Sequence, residues 1–516
     1  MEKMKKGLNV DWTITTISVT CVFVIVGFMS IRPDTTTDFI LKIFTITTDA
    51  LGPFILWFVF LGLMMCLYLA FSKHGKIKLG NSKPEYSLFS YISMMICAAL
   101  ASASVYYSLT EWAYYYAEPT FRLEPYSIEA AEYATAYTFF HWGFSVQVVF
   151  VLTSLAIAYA VHVKKVPALR VSAVCEEILS TFRYKEVIGK VIDVICIFSI
   201  LGGLGVSLGL GVPLISNEIT KIFGIEGSFT MNVIIVLMIA AIFSLSSFVG
   251  IDKGMKKISD YTIYLAIGLL IFILITGPTQ FIIRQTTNSV GIMLKNYITM
   301  SLWTDPIGNS GFPESWTIFL FAFALNYAAL MGVFITKISK GRTIREVILS
   351  CLVGISVGTW ILFGINGGFA MDAELTGKFS ITEAVLNGTG QTAIYSLLDL
   401  LPGGIMISIV YLVIAIGFLS TSLDSAAFSL SATATKKLDA SGNTSPFFRL
   451  FWCIILAAIP LSIMFTGAPF KTLQTLSIFV SVPFILVILL MLWGLFKWFR
   501  EDNIQVKSNE VSASDQ

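Results

Sequence analysis

Long apolar segments dominate this chain and restrict it to a membrane-embedded fold. A helix that crosses a bilayer needs roughly 20 mostly apolar residues, and twelve such stretches follow one another along the 516 residues. They lie near residues 11–31, 50–71, 88–110, 137–163, 188–215, 230–250, 258–283, 315–337, 346–370, 405–434, 449–467 and 473–499. Because only 13% of the residues are charged, little chain remains for a soluble domain. The sequence therefore predicts an all-α polytopic membrane protein with 12 transmembrane helices, and it excludes a soluble enzyme or a nucleic-acid-binding protein.

The positions of the basic residues predict how the spans are oriented. Cytoplasmic segments of membrane proteins carry an excess of lysine and arginine. With both termini placed in the cytoplasm, 26 of the 34 basic residues fall in cytoplasmic segments. The eight in outer segments are Arg32, Lys42, Arg122, Lys221, Arg284, Lys295, Lys378 and Lys471. We therefore expect a multi-pass protein of the cell (plasma or inner) membrane with cytoplasmic N- and C-termini.

The polar and reactive residues between and within the spans predict neither a soluble catalytic domain nor a metal centre. The seven cysteines and three histidines have no metal-ligand or disulfide spacing. Two outer connections, 286–314 and 371–402, carry apolar residues of their own, and we interpret each as a surface-lying or re-entrant helix. Residues 500–516 are polar and predict a disordered cytoplasmic tail.

Several spans are interrupted by small, glycine or polar residues, a pattern typical of a buried ligand site. The third span has a small-residue run at 98–104 followed by aromatic residues and Glu111, and the fourth has Trp142 near its start. The fifth has five glycines within 201–211, and the tenth has four hydroxyls and a carboxylate within 420–425. Close helix packing, interfacial anchoring and backbone bonding are simpler interpretations of these features taken singly. Several hydroxyls beside a carboxylate favour a cation site, since hard cations prefer oxygen ligands.

Five of these segments, taken together, resemble the motifs of the betaine/carnitine/choline transporter (BCCT) family. They are residues 140–142, 207–211, 304–319 (TDPIGNSGFPESWTIF), 337–346 and 421–425. The likeness covers about residues 80–430, and the combination is more specific than any single motif. The resemblance implies a trimeric carrier of the inner membrane with a LeuT-like core of two inverted five-helix repeats.

Applied to this chain, the resemblance divides it into five parts. The predicted domains are 1–80 (the N-terminus and two peripheral helices), 81–285 (the first repeat, helices three to seven), 286–314 (an external amphipathic connection), 315–499 (the second repeat, helices eight to twelve) and 500–516 (the tail). Substrate is then expected at mid-membrane, between the third, fourth and eighth helices.

The resemblance also implies roles for individual residues. The positions that match the family's substrate site are Tyr114, Trp142, Phe323 and Tyr327, and those that match a sodium site are Thr421 and Ser422, completed by backbone of the third helix. We assign gating or conformational roles to Glu111, Trp316, Arg342 and Asp424. A quaternary ammonium has no N–H to donate, so an aromatic cage is its natural receptor, worth about 2 kcal/mol or more per desolvated ring.

The chain departs from the family pattern at positions that bear on substrate and ion. Phe323 and Ala324 replace paired tryptophans of the eighth helix, and Gln147 and Phe150 stand in the fourth helix where Trp and Tyr are common. A cage without an indole is weaker or wider. Sodium-independent exchangers of the family carry a basic residue where this chain has Thr262. This difference favours sodium symport, and a sodium-independent antiporter of carnitine-like betaines is the alternative.

These observations predict a secondary active transporter that imports a quaternary-ammonium solute. We expect no cofactor besides Na+ as the coupling ion, and as partners a small zwitterionic or cationic substrate, membrane lipids and two further copies of the chain, without nucleic acid. A membrane-embedded transferase is the alternative from another class, but no catalytic acid pair, nucleophile or metal set supports an enzyme. Asp193 and Asp260 lie close to the predicted cytoplasmic edge, where we expect capping or pairing with Lys190, Lys256 or Lys257, and His141 is expected to make a structural hydrogen bond.

Overall fold

The computed structural model describes residues 10–180, 182–225, 227–439, 443–466 and 481–502, and helices are the regular elements of these residues. In chain order they are α1 (Trp12–Ile31), α2 (Pro33–Phe71), α3 (Leu88–Ala117), α4 (Ile128–Trp142), α5 (Phe144–Ala158), α6 (Val171–Leu179), α7 (Lys185–Phe223), α8 (Phe229–Val249), α9 (Lys256–Thr276), α10 (Thr279–Leu302), α11 (Phe319–Ile338), α12 (Ile344–Leu349), α13 (Ser356–Leu375), α14 (Ile381–Leu386), α15 (Gly390–Leu398), α16 (Ile405–Thr433), α17 (Pro446–Thr466) and α18 (Ser481–Asp502). Short 3-10 or π-helical turns adjoin some of them, at Lys73–Lys76, Thr120–Arg122, Tyr159–Val163, Ile251–Met255, Pro313–Ile318 and Ser350–Ile355.

Many of these helices are long and apolar enough to cross a bilayer. Within the described residues, nine are, and a tenth forms if the two parts of bent α3 count as one span. The first and eleventh predicted spans correspond to shorter apolar helices, Trp12–Val24 and Pro446–Ala458. The helical, multi-pass architecture is confirmed, whereas the count of twelve spans stays a prediction.

The helices differ in how deeply they are buried, and this difference locates the centre of the molecule. In the most apolar window of Pro313–Ile338, 94% of the residues are buried, and in that of Ile128–Val163 89% are. The corresponding shares are 33% for α8 and 39% for α9. Exposed apolar side chains on α8 and α9, such as Leu245 and Ile275, are suited to contact with lipid tails. Helices α4, α5 and α11 therefore form the protein-enclosed core.

Helix α3 bends at the small-residue run identified in the sequence. Its two parts, Leu88–Leu100 and Ala103–Ala117, meet at 65°. Bends of this size occur where the ladder of backbone hydrogen bonds is interrupted, and small side chains let neighbouring helices approach the freed carbonyls. The small-residue run therefore marks the position at which α3 bends, in addition to allowing close packing of neighbouring helices.

The fourth predicted span is also broken, at Gly143. This residue has φ −91° and ψ −141° between α4 and α5. A Cβ added at Gly143 would lie 2.4 Å from the carbonyl oxygen of Phe139 and 2.8 Å from Nε1 of Trp360. Any larger residue would collide with these groups, because interiors are close-packed. Gly143 therefore permits the break that ends α4 at Trp142.

The glycine run of the fifth span is helical and tightly packed. It lies inside the continuous helix α7. A Cβ at Gly203 would lie 2.9 Å from two ring carbons of Tyr327 on α11. At this run, α7 therefore packs tightly against α11.

The two long connections are helical where the sequence predicts helices. The predicted segment 286–314 begins inside α10, which starts at Thr279 and packs against α4 and α13. Its buried side includes Ile282, Ser289 and Met293. The second connection, 371–402, contains the end of α13 and the short helices α14 and α15.

Candidate functional site

Trp142 is held by a hydrogen-bond network that links α3, α4 and the turn before α11. Its indole Nε1–H donates to Oε2 of Glu111 at 2.6 Å, and the hydroxyl of Tyr115 donates to Oε1 of Glu111 at 2.7 Å. His141 contacts the Tyr115 hydroxyl through Nδ1 at 2.9 Å and the Thr317 hydroxyl through Nε2 at 3.0 Å. Because the Tyr115 proton points to Glu111, Nδ1 donates to Tyr115 and Nε2 accepts from Thr317. His141 thus makes structural hydrogen bonds, as the sequence predicts.

The members of this network are almost completely buried. Glu111 and His141 are fully enclosed, and Trp142 is 5% exposed. A buried carboxylate is tolerated when donors satisfy both of its oxygens. Glu111 therefore fixes the direction of the Trp142 indole N–H, while the ring itself contacts Phe363 and Tyr107 at centroid distances of 5.3 and 6.3 Å. This is a positioning role compatible with the predicted gating assignment of Glu111.

Tyr114 of α3 lies beside Trp316 of the turn Pro313–Ile318. Their ring centroids are 5.2 Å apart at an interplanar angle of 47°, and both side chains are half-buried. The Tyr114 hydroxyl is 3.3 Å from that of Tyr106. Tyr106 contacts Tyr107, whose ring centroid is 6.3 Å from that of Trp142. A continuous set of rings thus joins Tyr114 to Trp142.

Phe323 and Tyr327 form a second aromatic group, on α11. Their ring centroids are 5.2 Å apart, as expected for residues four apart on one helix face. The hydroxyl of Tyr327 is hydrogen-bonded to that of Ser207 in the glycine run of α7, and Phe323 is half-buried. This hydrogen bond and the close approach at Gly203 hold Tyr327 against α7.

The structure therefore brings the four predicted substrate residues into two groups. Tyr114 and Trp142 are connected through rings of α3, and Phe323 and Tyr327 through α11. Among the described residues, no ring contact joins Trp142 to Phe323 or Tyr327 directly. Helices α3 and α11 pack against each other, and all four rings are buried or half-buried rather than turned outward.

Ser422 and Thr421 lie where α16 meets α3, just before the α3 bend. The Ser422 hydroxyl donates to the carbonyl oxygen of Cys97 at 2.8 Å, with that of Ala98 at 3.4 Å. The Thr421 hydroxyl donates to its own helix, to the carbonyl of Gly417 at 2.8 Å. One hydroxyl thus joins the two helices, and several oxygens converge at the bend.

The position that is basic in exchangers of the family also lies near this place. Thr262 of α9 packs against Gly417, one turn before Thr421, so closely that a Cβ at Gly417 would lie 2.2 Å from the Thr262 hydroxyl oxygen. A neutral hydroxyl therefore stands beside the candidate ion ligands.

Asp424 and Arg342, both given conformational roles from the sequence, are fixed to neighbouring helices. The hydroxyl of Ser246 on α8 donates to Oδ2 of Asp424 at 2.5 Å. Arg342 donates to the carbonyl of Tyr86 at 2.8 Å, and its guanidinium lies 4.0 Å from the ring centroid of Tyr91. Arg342 thus ties the segment between α11 and α12 to the start of α3, which suits a residue that positions helices.

The segment that precedes α11 is anchored by an ion pair outside the spans. Arg122 donates through Nε to Oδ1 of Asp305 at 3.0 Å, and backbone N–H groups of Gly308 and Ser310 donate to the same carboxylate. These donors, the guanidinium first, lower the pKa of Asp305 to about 2. The carboxylate therefore organises part of the TDPIGNSGFPESWTIF motif.

The lysine partners predicted for two acidic residues are correct in one case. Asp260 pairs with Lys256 at 3.4 Å, as predicted. Asp193 pairs with Arg170 at 3.2 Å, so the predicted pairing with Lys190 is wrong. Asp193 also accepts from the backbone N–H of Ser172 in the first turn of α6, at 3.1 Å, as the capping alternative predicts. Arg170 is distant in sequence, and α6 packs against α7 to bring it close.

Sequence reasoning missed two buried polar side chains. Gln147, noted only as a departure from the family, donates to the carbonyl of Trp142 at 3.4 Å, while its Oε1 has no hydrogen-bond partner among the described residues. Glu218 lies in the last turns of α7, beyond the predicted end of the fifth span. The signal in the sequence that could have identified Glu218 was the presence of an acidic residue within a few positions of the end of an apolar run.

Comparisons with known proteins agree with this architecture. The sequence model of the betaine/carnitine/choline family transporters matches residues 13–504. A carnitine transporter of Acinetobacter baumannii is 37% identical over 465 residues, which are 90% of this chain and 84% of the relative. The glycine betaine transporter OpuD of Bacillus subtilis is 32% identical over 98% of this chain and 97% of its own length.

An ectoine/hydroxyectoine transporter of Virgibacillus pantothenticus is 31% identical over 87% of this chain and 89% of the relative. Each of these relatives is named a transporter and not an enzyme. The chain therefore belongs to the betaine/carnitine/choline transporter family and is a multi-pass membrane transporter.

Proposed function

We propose that the protein imports a quaternary-ammonium solute of the betaine, carnitine or choline type by sodium symport, with the solute held against the rings of Tyr114, Trp142, Phe323 and Tyr327. The observation that carries this proposal is the fixed indole of Trp142. Its N–H is committed to Glu111 and Phe363 packs against the ring at a centroid distance of 5.3 Å, so we place the cation against the part of the ring face that Phe363 leaves uncovered. A cation over the face of a Trp or Tyr gains about 2 kcal/mol when desolvated.

The two aromatic groups suit a substrate that spans the space between α3 and α11. Several rings acting together offset the cost of removing a trimethylammonium group from water, which is substantial for any charge. Relatives named for carnitine, glycine betaine and ectoine define the range of zwitterions to test. The replacement of paired tryptophans by Phe323 and Ala324 weakens the α11 side of the cage and favours a solute with a longer body, such as carnitine.

The convergence of oxygens at the α3 bend supports sodium as the coupling ion. Thr421 and Ser422 contribute hydroxyl oxygens, and Cys97 and Ala98 contribute carbonyl oxygens. Hard cations prefer such ligands. The neutral Thr262 beside this place leaves room for a mobile cation, whereas a basic side chain would supply a permanent one.

The driving force available to such a symporter is adequate for accumulation. One cation that moves down a membrane potential of 100 mV supplies roughly 2.3 kcal/mol. This free energy corresponds to roughly fifty-fold accumulation of a solute per sodium ion. Two coupled ions would square that ratio.

The remaining parts of the proposal follow from the family. We place the two inverted five-helix repeats at 81–285 and 315–499, with α10 as part of an external connection between them. The termini lie in the cytoplasm, and three copies form the functional unit. Labelling of cysteines introduced near the two termini tests on which side of the membrane the termini lie. Cross-linking in native membranes tests whether three copies associate.

The decisive experiment is uptake into proteoliposomes that contain the purified protein. Radiolabelled L-carnitine, glycine betaine, choline and ectoine are supplied with and without an inward sodium gradient. We expect accumulation of at least one trimethylammonium solute that collapses when potassium replaces sodium. Counterflow that is undiminished without sodium would identify an antiporter instead, and failure to take up any of these solutes would contradict the proposal.

A further inference from the structure

Glu218 is a buried carboxylate at the end of α7 that is predicted to lie on the outer side of the membrane. Its side chain is fully enclosed, and neither of its oxygens accepts a hydrogen bond from any described residue. An ionised carboxylate without donors is strongly disfavoured in a protein interior. The surroundings of Glu218 therefore determine which form it takes.

The tyrosines beside Glu218 donate their protons elsewhere. Tyr395 of α15 and Tyr411 of α16 are both close enough to interact electrostatically with Glu218. The hydroxyl of Tyr395 donates to the carbonyl of Leu214, and that of Tyr411 donates to the carbonyl of Val105 at 2.8 Å. Each hydroxyl has a single proton, so neither tyrosine can also donate to the carboxylate.

The nearest cation is also committed to other partners. Lys221, one turn after Glu218, forms an ion pair with Asp399 and donates to the carbonyl of Tyr395 at 2.9 Å. Lys221 and Asp399 are both partly exposed, so water screens the lysine charge. The negative charge of Asp399 opposes the remaining effect of the lysine charge on Glu218. The charged groups around Glu218 thus compensate its ionised form only in part.

Ser408 is a further polar neighbour of Glu218. Its hydroxyl on α16 faces Glu218, is buried, and has no hydrogen-bond partner of its own among the described residues. A protonated carboxyl has one O–H to donate, and a serine oxygen can accept it. The same hydroxyl can donate its own proton to the ionised carboxylate, so Ser408 can pair with one oxygen of Glu218 in either form, and it is the enclosure of Glu218 that favours the neutral one.

We propose that Glu218 and Ser408 form a proton-binding site of the transporter, separate from the substrate and sodium residues. A proton from the outer solution binds a Glu218 carboxylate oxygen, and the resulting O–H donates to Ser408 Oγ. Release returns the proton to water and leaves a carboxylate that must be solvated. Since α7 and α16 pack against each other, solvating Glu218 requires them to separate, so protonation is linked to the arrangement of these helices.

A direct test records infrared difference spectra of the purified full-length protein as pH is lowered. We expect the protonated-carboxyl carbonyl band of the wild type to contain a component that is missing from Glu218→Gln and shifted in frequency in Ser408→Ala. Glu383→Gln, at an exposed glutamate of α14, serves as the matched control and retains the band. A band that is identical in the wild type and in Glu218→Gln at every pH overturns the proposal. A carboxylate signal that responds to sodium at constant pH, with no protonated form, overturns it as well by indicating a metal-ion site.

Transport provides the second readout, and this part rests on the proposed function. Uptake of L-carnitine or glycine betaine should vary with external pH, by up to about tenfold per pH unit within the titration range, and should become independent of pH in Glu218→Gln. A pH profile that is unchanged in this variant contradicts the proposal. If neither solute is taken up while the infrared band is present, the proposed substrates fail and the proton site stands. If uptake proceeds and the band is absent, the proton site fails alone.

Discussion

Replacement of Glu111 by glutamine should weaken substrate binding by releasing the indole of Trp142. The carboxylate accepts from both Trp142, at 2.6 Å, and Tyr115, at 2.7 Å. Glutamine keeps one acceptor oxygen and places an NH2 group, which cannot accept, opposite the other donor. One charge-assisted hydrogen bond is lost, and such bonds contribute about 1.5–3 kcal/mol.

The magnitude of the effect depends on how much of this energy positions the ring in the bound state. If the whole free energy of the lost hydrogen bond serves to position the ring, the Kd for substrate rises roughly 10- to 150-fold. Trp142→Phe removes the same N–H and keeps a ring, so it should cost a similar amount. Since both variants break one interaction, the double variant Glu111→Gln/Trp142→Phe should cost little more than either single change.

The assay is a double-mutant cycle of equilibrium binding, by isothermal titration of detergent-solubilised protein with glycine betaine and L-carnitine. Glu383→Gln controls for the general effect of removing a negative charge. Thermal unfolding of each variant distinguishes a local change from loss of the fold. Additive effects, with a coupling energy near zero, would refute the reasoning, because they would show that Glu111 acts on binding independently of the indole.

Three further predictions concern the ion site, the packing of α7 and the outer segment. Ser422→Ala should raise the sodium concentration for half-maximal uptake by about tenfold, as expected for one lost oxygen ligand worth about 1.4 kcal/mol, and an unchanged sodium dependence would contradict its role. Gly203→Ala should lower the stability of the protein by about 1–3 kcal/mol through collision with the Tyr327 ring; an unchanged melting temperature in thermal unfolding would show that the helices can move apart freely. Because the pKa of Asp305 is lowered to about 2 by Arg122, its stabilising effect is fully present above the ordinary aspartate pKa of about 4. That effect should disappear as pH falls from about 4 through about 2, and Asp305→Asn should abolish this part of the pH dependence of unfolding, whereas an identical profile in the variant would contradict the assignment.

The membrane-embedded architecture could be predicted from sequence because apolar runs report directly on burial in lipid. Interruptions of those runs were equally informative. The small-residue run of α3 and Trp142 at the end of α4 coincide with the bend and the break in the structure. Such residues act locally on the backbone, so their effect is visible within a few positions along the chain.

Contacts between distant segments could not be predicted in this way. The hydrogen bond between Trp142 and Glu111 joins residues on different helices, and hydropathy carries no information about which helix faces pair. The partner of Asp193 was wrong for the same reason, because packing of α6 brings Arg170 closer than a lysine on the same helix. The sequence did not single out Glu218, because its lack of hydrogen-bond donors depends on the direction in which the hydroxyls of Tyr395 and Tyr411 donate.

The most direct test of the aromatic cage compares glycine betaine with its carbon isostere, tert-butylacetate, which has the same shape and the same carboxylate but an uncharged headgroup. If the rings of Trp142, Tyr114 and Tyr327 hold the cation through their faces, the isostere should bind at least about 30-fold more weakly, the equivalent of about 2 kcal/mol for one desolvated ring. The difference should shrink in Trp142→Leu. Equal affinity for the two compounds, measured by isothermal titration of the wild-type protein, would contradict the account.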